Sequence, residues 1–215
     1  MRPSASPTSP KRAASSSADD GVTATPGALL LTPGAGSDRN HAALRAIEDA
    51  VAPLPVARVD FPYRKAGRRA PDRAPVLLQC VREEAAVLVA GAHIRANRLV
   101  LGGRSMGGRM CSMAVADGLP AAGLVLISYP LHPPGKPDTL RVEHLPAIDV
   151  PCLFVSGTKD PFGSPDELTH HTASIGGPVT HVWIEGGGHD FKKHDAMVAA
   201  AVRDWLRSLG ARLPG

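Results

Sequence analysis

Ser105 lies at the centre of Gly103-Arg104-Ser105-Met106-Gly107, a Gly-x-Ser-x-Gly pentapeptide followed by a helix-compatible run from Gly108 to Ala114. A serine hydroxyl is a poor nucleophile until a base takes its proton, and that base needs a carboxylate to hold the useful tautomer. The chain supplies both downstream. Asp160 stands in Ser156-Gly157-Thr158-Lys159-Asp160-Pro161, and His189 in Glu185-Gly186-Gly187-Gly188-His189-Asp190-Phe191. Nucleophile, acid, histidine is the chain order that a strand-turn-helix nucleophile site on a doubly wound sheet requires. Asp190 is the alternative acid, but it adjoins His189 and more naturally points away. A phosphate cradle would need Gly-Lys-Ser/Thr after the glycines, and none follows.

The elements that must carry these residues are visible as short apolar runs: Ala28 to Thr32, Pro55 to Asp60, Arg98 to Gly102, Gly123 to Ser128, Pro151 to Ser156 and Thr180 to Ile184. Each is too short for a core helix and reads as a buried parallel strand. Between them, Leu44, Ile47 and Val51, then Leu77, Val81 and Leu88, recur at helical steps. Ser164-Pro165-Asp166-Glu167 carries a serine cap, a first-turn proline and a glutamate three residues after the cap, which together start a helix. Val198, Val202, Trp205 and Leu206 predict a closing helix over Ala196 to Leu209. This alternation predicts an α/β fold with a doubly wound, mostly parallel sheet of six or more strands. Ligands then sit beyond the carboxyl ends of the strands, where all three candidate residues fall.

A strained turn at Ser105 exposes its hydroxyl at a helix N-terminus, where the Met106 N–H is an oxyanion donor. Thr32-Pro33-Gly34-Ala35-Gly36-Ser37 follows the first strand, where the second donor belongs; Ala35 is the first choice, with Gly34 and Gly36 open as alternatives.

The bulk composition fits one domain. There are 215 residues, 43% of them hydrophobic and 20% charged, with a formal net charge of +4. The basic residues are dispersed without aromatic interleaving, which argues against nucleic-acid binding. The three cysteines, Cys80, Cys111 and Cys152, show no CxxC spacing and read as reduced core residues of a cytoplasmic protein. No metal or other cofactor is implied, and no apolar run reaches the ~20 residues needed to span a bilayer. Residues 1–26, rich in Ser, Ala, Pro and Thr, are expected to form a disordered tail ahead of a domain over 27–215.

Five segments together resemble a small α/β-hydrolase family related to dienelactone hydrolase: Pro33 to Gly36, Asp60 to Arg64, Gly103 to Arg109, Val155 to Asp160, and Gly188 to Phe191. Its eukaryotic members include a testis-expressed protein and a subunit of the chromatin-associated NSL complex. The resemblance covers about Ala28 to the C-terminus and implies triad roles for Ser105, Asp160 and His189. Two departures stand out. Many relatives have histidine where this chain has Pro33, and dienelactone hydrolase uses cysteine where this chain has Ser105.

These observations predict a carboxylesterase or dienelactone-hydrolase-like enzyme acting on a small-molecule ester or thioester. Only about twenty residues separate the fourth and fifth strands, too few for a helical lid. Arg104, Arg109 and the stretch Arg64 to Arg73 could form a cationic rim for an acidic substrate; surface solvation is the plainer reading of the same charges. The rival function is a non-catalytic scaffold on the same fold, against which three such polar residues at three strand ends argue.

Overall fold

In the computed structural model, which describes residues 24–213, six strands form one sheet in the order β2-β1-β3-β4-β5-β6, with every neighbouring pair parallel. The strands are β1 (Ala28–Thr32), β2 (Val56–Arg58), β3 (Leu99–Arg104), β4 (Gly123–Ile127), β5 (Cys152–Gly157) and β6 (Val179–Ile184). All but the last three residues of the expected tail lie outside the described residues. Edge strand β2 is shorter than its apolar run, whereas β3 runs on to Arg104 because β4 continues to pair with it through Arg104 and Ile127.

Alternation along the strands assigns the two faces, since successive side chains point opposite ways. Leu29, Leu31, Val100, Val125 and Val155 face α1 (Ala42–Val51) and the C-terminal helix Asp195–Ser208, which presents Val198, Val202, Trp205 and Leu206. Leu30, Leu99, Leu101, Leu124 and Phe154 face the other side, where Leu77 and Val81 pack from α3 (Ala74–Gly91) and Met110 and Ala114 from α4 (Met106–Ala116). The remaining helices are α2 (Pro62–Lys65) and α5 (Pro165–Thr172), which make the C-terminal helix α6. Ser164 caps α5 in a full capping box with Glu167, as its sequence requires. All three cysteines are buried and unpaired, and burial raises the Cys111 and Cys152 thiols to about 12, so they stay protonated.

Strand order reverses between β1 and β3, so the chain leaves these two neighbours toward opposite faces of the sheet. That opens a crevice beyond their carboxyl ends. No helix among the described residues is long and apolar enough to cross a membrane. Between β4 and β5 the only helical element is the short 3-10 turn Leu145–Ala147, so this connection places no helical lid over the crevice.

Candidate active site

The turn from β3 into α4 places Ser105 at φ 50°, ψ −119°, a conformation non-glycine residues rarely adopt. Neighbouring contacts hold it there: its N–H donates to the Ile127 carbonyl of β4 at 2.8 Å, and its carbonyl accepts from Arg109 N–H at 3.1 Å. The flanking glycines are needed because backbone meets backbone. A Cβ on Gly103 would lie 2.5 Å from the Thr32 carbonyl oxygen, and one on Gly107 would lie 2.5 Å from that of Pro33. Met106 opens α4, so its N–H has no intrahelical acceptor and points out at the positive end of the helix.

The loops after β5 and β6 bring the other two residues to Ser105. His189 Nε2 lies 2.9 Å from Ser105 Oγ, and its Nδ1 lies 2.8 Å and 3.0 Å from the two carboxylate oxygens of Asp160. A carboxylate only accepts, so Nδ1 carries the proton and the neutral ring's Nε2 is left to accept from the serine hydroxyl. Asp160 is 6% exposed, and its Oδ1 also accepts from Phe162 N–H at 2.9 Å. The Phe162 ring stacks on the imidazole at a centroid distance of 4.0 Å, covering its face. Asp190 makes no hydrogen bond or ion pair with the imidazole; the carboxylate at Nδ1 belongs to Asp160.

The histidine loop, which its three glycines would suggest is free to swing, is pinned. The His189 carbonyl accepts two hydrogen bonds of 2.8 Å, one from Arg104 Nη2 and one from Ser128 Oγ. Gly187 packs directly on Gly157, and its carbonyl accepts from Lys159 N–H at 2.9 Å. This changes the reading of Arg104. Expected as one contributor to a cationic rim, it does border the crevice, but it is 8% exposed and its guanidinium donates to the His189 carbonyl. Strand alternation turns it inward, and burial lowers its pKa despite the nearby Asp190 and Asp160. Ser128, at φ 47° just after β4, went unnoticed in the sequence because a serine ending a strand carries no signal of what it will touch.

The glycine turn after β1 reaches the same crevice. The Ala35 carbonyl accepts from Tyr63 Oη at 2.9 Å, which fixes the plane of the Ala35–Gly36 peptide, and Ser37 N–H is occupied by the Gly34 carbonyl. The N–H groups of Ala35 and Gly36 donate to no protein acceptor among the described residues. These residues line a cleft of about 410 Å³ together with Arg104, Ser105, Met106, Arg109, Pro130, Arg141, Phe162 and His189. A larger hollow of about 870 Å³ at the opposite ends of the strands, around Gly27, Pro55 and Arg98, holds no nucleophile and base together among its lining residues. The basic stretch from Arg64 to Arg73 does not line the cleft: Arg64 faces Asp38 at 3.5 Å and Arg68 pairs with Asp72 at 2.7 Å.

A second serine and histidine meet on α4, with Ser112 Oγ 2.8 Å from His144 Nε2. Ser112 is fully buried and donates to the Arg109 carbonyl at 2.9 Å, so this pair braces the helix and offers no accessible nucleophile. Burial, and secondarily the Arg109 charge, bring His144 down to about 4. Its folded pKa is thus below the unfolded value, and the unfolded chain takes up the proton first. The associated stability is present above pH ~6.5 and is lost as pH falls toward 4. After allowance for solvent screening, the loss is on the order of 1–2 kcal/mol. Urea denaturation at pH 7 and pH 4.5 should therefore show a smaller acid loss for His144→Gln than for the wild type. Equal losses would mean that His144 titrates normally.

Comparisons with known proteins agree with this architecture. Est1E from Butyrivibrio proteoclasticus superposes with a TM-score of 0.65 at 14% identity, over 88% of this chain and 90% of that one. Dienelactone hydrolase from Anabaena variabilis gives a TM-score of 0.66 at 18% identity, over 86% of this chain and 87% of that one. The type II thioesterase BorB from the borrelidin biosynthetic cluster gives 0.60 at 18% identity, over 85% and 94%. At these identities the likeness is one of fold. The model of the alpha/beta hydrolase domain family matches residues 25–206, and the chain belongs to that family.

Proposed function

We propose that the protein is a serine hydrolase that cleaves a small ester or thioester through an acyl-enzyme on Ser105. The observation that carries this reading is the unbroken hydrogen-bond chain from Ser105 through His189 to Asp160, facing an accessible cleft. Ser105 Oγ attacks the substrate carbonyl while His189 Nε2 takes its proton. The resulting imidazolium is stabilised by the Asp160 carboxylate at Nδ1 and returns the proton to the leaving alcohol or thiol. Water, deprotonated by the same nitrogen, then releases the acid. The tetrahedral oxyanion is held by the Met106 N–H and by the turn after β1, with Ala35 as donor and Gly36 beside it. Pinning of the His189 carbonyl keeps the imidazole in register with both partners, which matters because misplacement by about 1 Å costs about a hundredfold in rate.

The test is reaction with a fluorescent fluorophosphonate, followed by peptide mass spectrometry. The expected adduct is on Ser105 alone, absent in Ser105→Ala and much slower to form in His189→Ala. Folded protein that takes no label at Ser105 would leave the non-catalytic scaffold as the better account of this fold.

A further inference from the structure

Three guanidinium groups line the cleft and none has a carboxylate partner among the described residues; with Arg104 engaged on the His189 carbonyl, Arg109 and Arg141 remain. Arg109 lies in the first turn of α4, one helical turn after Ser105, and Arg141 reaches in from the β4–β5 connection. Neither makes a salt bridge among the described residues. Arg109 Nε is buried with no hydrogen-bond partner. Arg141 spends one N–H on the Pro130 carbonyl, at a long 3.4 Å, leaving four of the five donors that a guanidinium carries. The two charges are close enough for Arg109 to depress the Arg141 pKa, after the larger effect of burial.

This arrangement is unfavourable without a ligand. A cation in the first turn of a helix opposes the helix dipole, and two like charges bordering one cleft repel. Yet the chain holds Arg141 firmly in place: its N–H donates to the Leu131 carbonyl at 2.9 Å and its carbonyl accepts from Tyr129 Oη at 2.7 Å. Tyr129 is buried, so this anchor does not depend on solvent. Arg104 does not belong to the pair, since its guanidinium is engaged with the His189 carbonyl.

Resting on the serine-hydrolase reading for the position of the scissile bond, we propose that Arg109 and Arg141 are the receptor for a carboxylate carried by the substrate. The substrate class is a carboxylated ester or thioester. The planar fork of each guanidinium matches a carboxylate, and a substrate anion offsets the repulsion between the two cations. Met106, Pro130 and Phe162 on the same walls contact the short apolar segment between the carboxylate and the reacting carbonyl.

The experiment measures kcat/KM for two matched pairs of esters. One pair places the carboxylate on the acyl side, the para-nitrophenyl half-ester of adipic acid against para-nitrophenyl hexanoate. The other places it on the alcohol side, para-acetoxybenzoate against para-acetoxybenzamide. One pair should show a preference for the anion of about ten- to a hundredfold, the range for hydrogen bonds to a charged group, and so locate the arm. In Arg109→Gln and in Arg141→Gln that ratio should fall toward one. Because the ratio is taken within each variant, any loss of folded protein cancels. Binding of monomethyl adipate to Ser105→Ala, followed by ligand-observed NMR with methyl hexanoate as the neutral control, reads the same site without turnover. Ratios near one in the wild type for both pairs, or ratios unchanged in the two variants, would overturn the proposal while leaving the hydrolase reading in place. Binding of monomethyl adipate that is lost in both arginine variants, with no ester of either kind hydrolysed, would uphold the anion site and remove the hydrolase reading instead.

Discussion

Asp160→Asn is expected to lower kcat/KM for ester hydrolysis about 10⁴-fold while leaving the fold and the cleft unchanged, the magnitude known for this substitution in a serine triad. The reason lies in which oxygen does what. Oδ1 accepts from Phe162 N–H at 2.9 Å, so the asparagine must keep its carbonyl oxygen there. The amide NH₂ is then forced into the place of Oδ2, 2.8 Å from His189 Nδ1. A donor facing Nδ1 drives the ring proton to Nε2, where an N–H meets the Ser105 hydroxyl and no longer accepts its proton. The charge that stabilises the imidazolium is lost as well. Fluorophosphonate labelling of Ser105 should slow with turnover, while urea denaturation stays near wild type. Asp190→Asn is the companion variant. If it, and not Asp160→Asn, abolished turnover, the acid would be Asp190 and the proposed relay would be wrong.

Gly107→Ala should cost about 3 kcal/mol of stability or more, enough to threaten folding in a domain of ordinary stability. The added Cβ would lie 2.5 Å from Pro33 O, 2.5 Å from Thr32 Oγ1 and 2.6 Å from Thr32 O. Thr32 cannot simply rotate aside, because its hydroxyl donates to the Gly102 carbonyl at 3.1 Å inside the core. The end of β1 would have to move away from α4, and with it the turn that carries Ala35 and Gly36. The matching control is Gly91→Ala at the end of α3, where nothing lies within 4 Å and φ is not positive. There, reduced entropy of the unfolded chain should add about 0.5–1 kcal/mol. Urea denaturation of both variants is the measurement. A loss below about 0.5 kcal/mol for Gly107→Ala would mean that the elbow is looser than its contacts imply.

Both effects act between distant parts of the chain, yet the residues that produce them sit in short segments that a sequence displays. Ser105, Asp160 and His189 each follow a strand within a few residues, and their strands are recognisable from apolar runs alone. A parallel sheet then has no choice but to gather their ends on one edge, because all carboxyl ends point the same way. The helix at Ser164 is equally local, its cap and its glutamate lying within one turn. Boundaries are less legible. The run Pro55 to Asp60 is apolar enough for a longer strand, but at the sheet edge it pairs on one side only and stops at Arg58.

By itself, then, the sequence determined the fold class, the order of the elements and the three residues of the proposed relay, since each depends on spacing within one short segment. Tertiary structure alone decided what the arginines do. Charge says that a side chain prefers water, not which way its strand or helix turns it. Arg104 borders the cleft but spends its guanidinium on the carbonyl of His189, 85 positions away in the chain. Arg141 carries no local motif, and it reaches the cleft only because Tyr129 and Leu131 fold the β4–β5 connection back on itself. The same holds for Ser128 and Tyr63, whose single hydroxyls orient the histidine loop and the glycine turn across the crevice. Such contacts join residues whose separation in the chain bears no relation to their distance in space, and no periodicity or motif encodes them.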